Sequence, residues 1–215
     1  QARFYGAPGN VLGGRALLDS SFLGLERSDG GDDMTRLSSA LSWQRRDVTS
    51  FGLVTTTDVM GRGDIYYAVN RPDNSQTQKN KTRLFPLGNI MTSYPLTRPV
   101  GSDMTMIIEP IVSVTAVPRL DRQSGIPNED SQDGQLDSSN LFNPNRFPGL
   151  DRVEDQSRTT YGARTSLNWD DGRIFEVFAG QSYRFKETSS AFPRNSGLSQ
   201  RKSDYVGRLK YVDAD

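Results

Sequence analysis

The chain has 215 residues, of which 34% are apolar, and its 26 basic and 26 acidic side chains cancel. That apolar fraction is low for a globular domain, and zero net charge gives no pull toward nucleic acid or any other polyanion. With no Cys and no His, this stretch offers no disulfide, no thiolate or imidazole metal site, no cysteine nucleophile and no His-based hydrolytic triad.

Two Trp, eight Tyr and ten Phe beside a neutral charge argue against disorder throughout. The opening QARFYGAPGN has no apolar signal-peptide core and no initiator Met. The end, KYVDAD, stops in a strand-like pattern, so the whole reads as a piece of a longer chain. No apolar run approaches the length of a membrane-spanning helix.

In chain order, the first strand is expected at roughly 15–27. In the second, Leu37, Ser39, Leu41 and Trp43 oppose Arg36, Ser38, Ala40, Ser42 and Gln44. A short turn near 45–47 leads to a third, with Phe51, Leu53 and Val59 on one face. A fourth is expected at 83–94. In the fifth, Met104, Met106, Ile108, Val112, Val114 and Ala116 oppose Thr105, Glu109, Ser113 and Thr115. In the sixth, Tyr161, Ala163, Leu167 and Trp169 oppose Thr160, Gly162, Arg164, Ser166 and Asn168. Phe175, Val177, Ala179, Tyr183 and Phe185 mark the seventh, and Tyr205, Leu209 and Tyr211 the eighth. Each has the two-residue period of an amphipathic strand.

Short turns (near 45–47, 97–103 and 170–172) alternate with long loops (near 28–34, 71–82, 118–157 and 187–203). Several strands reach 12 or more residues, beyond the usual globular length of about 5–6. Long strands with all long loops at one end suit an outer-membrane barrel. The expected fold is therefore all-β: an antiparallel meander of about eight long strands, an arc of a transmembrane barrel within one domain spanning residues 1–215. Apolar faces would meet lipid, with aromatic residues such as Trp43, Tyr94, Trp169 and Tyr211 near the interfaces. Polar faces would line a wet lumen, where Arg164, Asn168, Arg184 and Arg208 are candidate contacts for a passing substrate.

Three motifs are weighed and set aside. Glu129, Ser131, Asp133 and Gly134 follow the start of a calcium loop, but Asn140 stands where a bidentate Glu is needed. A solvated acidic loop is the preferred reading, and no metal is expected. Asp170 and Asp171 suit a turn rather than catalysis. GRGD at 61–64 sits between strand-like segments and is read as a chance match to an adhesion motif.

The stretches IPNEDSQ, LDSSNLFNPNRFPGLDRVE, TTYGARTSLNWDDG and FEVFAGQSYRF, in that order, resemble the C-terminal barrel region of the LptD (organic-solvent-tolerance) family of outer-membrane LPS-assembly proteins. The resemblance runs from about Arg36 onward and is densest between Ile108 and Phe185. It implies a very large barrel of about 26 strands, at the upper end of the usual range, of which this chain is an internal arc. It implies a Gram-negative outer membrane, lipopolysaccharide as substrate, a plug lipoprotein of the LptE family inside the barrel, and a periplasmic bridge reached through an N-terminal domain. It implies no cofactor, no enzyme activity, and a lateral gate that this piece is not expected to include. The long loop at 118–157 is expected to fold inward, burying Leu141, Phe142 and Phe147, with Arg146, Asp151 and Arg152 bonding to the wall. A general porin or other passive channel is the alternative. A barrel protease or phospholipase is disfavoured by the lack of His, and a soluble sugar-binding sandwich by strand length.

Overall fold

The computed structural model describes residues 2–6, 11–26, 33–69, 80–120, 123, 126–131, 134–186 and 192–214. These form ten strands: β1 (Ala2–Tyr5), β2 (Arg15–Leu25), β3 (Asp33–Val48), β4 (Val54–Val69), β5 (Asn80–Ser93), β6 (Leu96–Val100), β7 (Met104–Ala116), β8 (Arg158–Trp169), β9 (Ile174–Arg184) and β10 (Val206–Val212). All pairings are antiparallel, in the order β1-β2-β3-β4-β5-β7-β8-β9-β10, with β6 also on β7. Among the described residues the sheet does not close: β1 and β10 are its two edges.

Two strands beyond the expected eight have simple origins. β1 is a short strand laid on β2. β5 and β6 share β7, with Gly88 to Ser93 facing its second half and Leu96 to Val100 its first. Pro95 separates them, since it has no N–H to give a ladder. Tyr94 bridges the break by donating its N–H to the Pro110 carbonyl at 3.2 Å.

The turn expected near 45–47 lies further on. Arg45, Arg46 and Asp47 remain in β3 opposite Thr57, Thr56 and Thr55. The reversal uses residues 49–53, where Gly52 takes a φ of 91° and Thr49 donates to the Leu53 carbonyl at 2.9 Å. Glycine supplies the left-handed backbone that no residue of 45–47 adopts cheaply, so Phe51 and Leu53 belong to the turn and not to a strand face. The turn expected at 97–103 narrows to 101–103, and the turn at 170–172 is closed by Gly172 N–H donating to Trp169 O at 3.0 Å.

The sheet is inverted relative to a soluble one. Its outer face exposes Leu37, Leu41, Val59, Ile65, Leu84, Ile90 and Leu209, while its inner face buries Arg36, Arg62, Asp64, Arg83, Asn89, Ser113, Arg158 and Arg184. Among the described residues apolar packing occurs in four small clusters, three of which join the wall to the loop at 117–157. Ile126 meets Met34 and Tyr66; Val153 meets Phe85 and Leu87; Leu141 meets Phe178 and Val206. In the fourth, Phe147 stacks on Phe192 with centroids 4.1 Å apart, tying this loop to the one after β9. The core exists where loop covers wall.

Candidate functional site

The loop at 117–157 is built to carry side chains down onto the sheet. Asp137 accepts hydrogen bonds from the Ser139 and Asn140 N–H groups, at 2.6 and 3.0 Å, a local turn typical of Asp. The Leu141 N–H then reaches the Asp137 carbonyl at 3.1 Å. Leu141 is thereby aimed at the inner wall, where Gly180 pairs with Gly162. A Cβ on Gly180 would come within 2.6 Å of Leu141 Cδ2, so the glycine makes the seat. Phe142 packs beside it, edge-on to Phe178 with centroids 6.2 Å apart.

Two ionic clusters fasten the loop. The first sits on β3, β4 and β5. Arg36 donates to Asp151 at 2.5 Å and to Asp130 at 2.6 Å. Arg83 donates to Asp64 at 2.7 Å and to the Asp151 carbonyl at 2.8 Å, while Ser38 donates to Asp64 at 2.6 Å. Arg62, on β4, approaches Asp64 at 3.3 Å. The Leu150 carbonyl accepts from Arg62 at 2.9 Å and from the Tyr66 hydroxyl at 3.2 Å. Three arginines thus meet three aspartates, and Asp64, Asp151 and the arginines are almost wholly buried.

The two loop aspartates also clasp each other's backbone. Asp130 Oδ1 accepts from the Leu150 and Asp151 N–H groups, each at 3.0 Å. Asp151 Oδ2 accepts from the Glu129 and Asp130 N–H groups at 2.8 and 3.2 Å. Gly149 leaves the room, because a Cβ there would lie 2.2 Å from Asp130 Oδ1. Burial alone would raise the Asp130 pKa. The Asp151 N–H, Arg36, the Leu150 N–H and Ser131 outweigh it and hold the carboxyl below its ordinary range.

The second cluster lies under the loop's later half, at β8 and β9. Arg146 forks onto Glu154, with Nε at 2.8 Å and Nη2 on the other oxygen. Arg158 Nη1 stands 3.3 Å from Glu154, and its Nη2 donates to the Asn143 and Pro144 carbonyls at 2.6 and 2.9 Å. Arg184 donates to Gln156, and to the Ser199 carbonyl at 3.0 Å. Burial pushes Glu154 up, but the Arg158 and Arg146 charges win and its pKa lies below the ordinary value.

Of the loop residues singled out from sequence, Leu141, Arg146, Phe147 and Asp151 are buried, and Phe142 and Arg152 are partly so. Asp151 alone of the three charged ones pairs with a charged wall side chain. Arg146 pairs with Glu154 of its own loop, and Arg152 donates to the Gln123 carbonyl at 2.8 Å. The stretch around Glu129 is not a solvated acidic loop: Ile126 and Ser131 are buried and Asp130 is engaged by Arg36. Asp133 lies outside the described residues.

The luminal candidates separate. Arg164 stands 3.4 Å from Glu109 and 3.8 Å from Glu176, and Glu176 also takes Arg208. Glu109, Arg164, Glu176 and Arg208 thus alternate in charge across β7 to β10. Asn168 donates to Ser166 at 3.0 Å nearer the short-turn end. A cleft of about 500 Å3 between this wall and the loop is lined by Thr56, Ser93, Glu109, Ser139, Phe142 and Arg164. Arg184 is not among them, being covered by loop.

Sequence reading missed Arg62 and Asp64, set aside within GRGD, and gave no role to Arg36, Arg83, Asp130, Glu154 or Arg158. The available signal was parity: Arg36, Arg62, Asp64, Arg83 and Arg158 all occupy inward positions toward the long-loop ends of their strands.

Comparison with known proteins adds a family. A family model described as LPS transport system D matches residues 3–212. The LPS-assembly protein LptD of Pseudomonas entomophila (strain L48) is 28% identical over 204 residues, covering 87% of this chain and 21% of that protein. That of Pseudomonas putida (strain F1) is 27% identical over 194 residues, covering 82% and 20%. That of Escherichia coli (strain K12) is 34% identical over 110 residues, covering 50% and 13%. The chain spans about a fifth of the length of the first two relatives.

Proposed function

The chain belongs to the LPS transport system D family, and on that premise we propose that it forms part of the wall of an outer-membrane barrel that inserts lipopolysaccharide into the outer leaflet. The observation that carries this reading is the inverted sheet with its inner face roofed by a fastened loop. An apolar outer face carrying Leu41, Val59, Ile90 and Leu209 suits hydrocarbon, and hydrogen-bonded strands leave few backbone groups unpaired there. The wet inner face, with Arg164, Asn168 and Arg208 in its less covered part, offers exchangeable hydrogen bonds to a sugar chain. No covalent step is involved. The remaining partners are a plug lipoprotein of the LptE family, the periplasmic transport bridge through a further domain, and the bilayer.

The loop at 117–157 then acts as a lid that narrows a wide lumen. A passive channel would share the sheet but would not need so heavily fastened a roof. In-cell photocrosslinking of the full-length parent protein tests the reading. Photoreactive residues at inward Arg164 and Asn168 are expected to capture lipopolysaccharide, and those at outward Leu167 and Trp169 to capture bilayer lipid or neighbouring protein. No lipopolysaccharide at any of the four, in correctly inserted protein, would return the passive channel to first place.

A further inference from the structure

The two clusters under the loop differ in charge balance. In the first, three arginines face three aspartates. In the second, among the described residues, Arg146, Arg158 and Arg184 have one carboxylate, that of Glu154. Arg158 and Arg184 are register partners on adjacent strands, a like-charge juxtaposition that costs stability unless an anion lies between. All three are more than nine-tenths buried.

Their hydrogen bonding is also incomplete. Arg146 Nη1, Arg158 Nε and Nη1 and Arg184 Nε find no hydrogen-bond partner among the described residues. In the first cluster only Arg36 Nε is in that position. Buried donors of this kind are normally satisfied, and uncompensated buried charge is expensive. Guanidinium forks grouped about one carboxylate match the oxygens of a phosphate.

We propose that Arg146, Arg158 and Arg184 form an anion site for a phosphate group, in which the Glu154 side chain is the resident stand-in. The docked loop closes the site, so binding is coupled to a shift of the Glu154 carboxylate, which a doubly charged oxyanion outcompetes. The phosphate is either a dissolved ion or one carried on a glycolipid. The site follows from the cluster alone and stands whether or not the transport reading holds.

The test compares wild type, Glu154→Gln and Arg184→Gln in the full-length parent protein, solubilised in detergent. Thermal midpoints are measured in inorganic phosphate and in chloride of equal ionic strength, and then with a phosphorylated glycolipid against its dephosphorylated form. Ligand that binds the folded state raises the midpoint. Phosphate is expected to raise it in wild type, to do so at about tenfold lower concentration in Glu154→Gln, the scale of one charge-assisted hydrogen bond, and to have no such effect in Arg184→Gln. A response to free phosphate assigns a dissolved ion; a response to the phosphorylated glycolipid alone assigns a lipid-borne group. If wild type and Arg184→Gln respond equally in both arms, the proposal is overturned, whether or not Glu154→Gln folds.

Discussion

Among single residues, Asp151 and Arg152 are sequence neighbours with unequal consequences. Asp151 shares buried Arg36 with Asp130 and holds two backbone N–H groups, so its removal leaves three buried arginines with two aspartates. Asp151→Ala is expected to weaken loop docking by about 3–5 kcal/mol, while Arg152→Ala, which loses a carbonyl contact, costs only about 1 kcal/mol. Outer-membrane permeability to large antibiotics should rise for the first and barely for the second, at equal protein levels. Gly149→Ala should resemble Asp151→Ala, because its new methyl displaces the Asp130 carboxylate. Protease protection of the loop in intact cells would show it. A Gly149→Ala loop as protected as wild type would mean that Asp130 can be reseated without cost.

Among elements, the fastened loop should be indifferent to pH over the physiological range. Asp130 and Glu154 both have folded-state pKa values below their ordinary ones. Their contribution is therefore complete above about pH 4–5 and is lost as pH falls further. No His is present, so no ordinary side chain titrates between about pH 5 and 8. Loop protection should be flat across that interval and decline only below about pH 4. The strands were legible because a two-residue period marks which side chains face which solvent; β7 has the expected bounds. The apolar period of β4 is legible only to Val59 because Gly61 and Gly63 interrupt its outer face, although the ladder continues to Tyr67 opposite Asn80. The fastening of the loop was less legible, since Arg36 meets Asp130 and Asp151 across 94 and 115 positions. Nothing local at Arg36 announces those partners.

For the whole molecule, the inverted sheet makes neighbouring positions differ by face. Leu41, near the middle of β3, is exposed outward and Ser42 faces in, where its hydroxyl donates to the Leu17 carbonyl at 3.4 Å. Leu41→Arg is expected to cost about 2–4 kcal/mol in a bilayer, whereas Ser42→Arg enters water. Heat-modifiable gel mobility of the parent protein should show a reduced folded fraction for the first alone. Equal behaviour of the two would contradict a lipid-facing outer surface.

The loop also has a mechanical consequence. Its Asp130 and Asp151 are pinned to β3 and β5, and its Leu141 and Glu154 to β8, β9 and β10. It is a tie-rod strung across the concave side of an arch. Any load that flattens the arch must pull Leu141 from its glycine seat or separate Arg36 from two carboxylates. The curvature of this wall is therefore held by a handful of side chains beneath the loop as well as by the strand ladder.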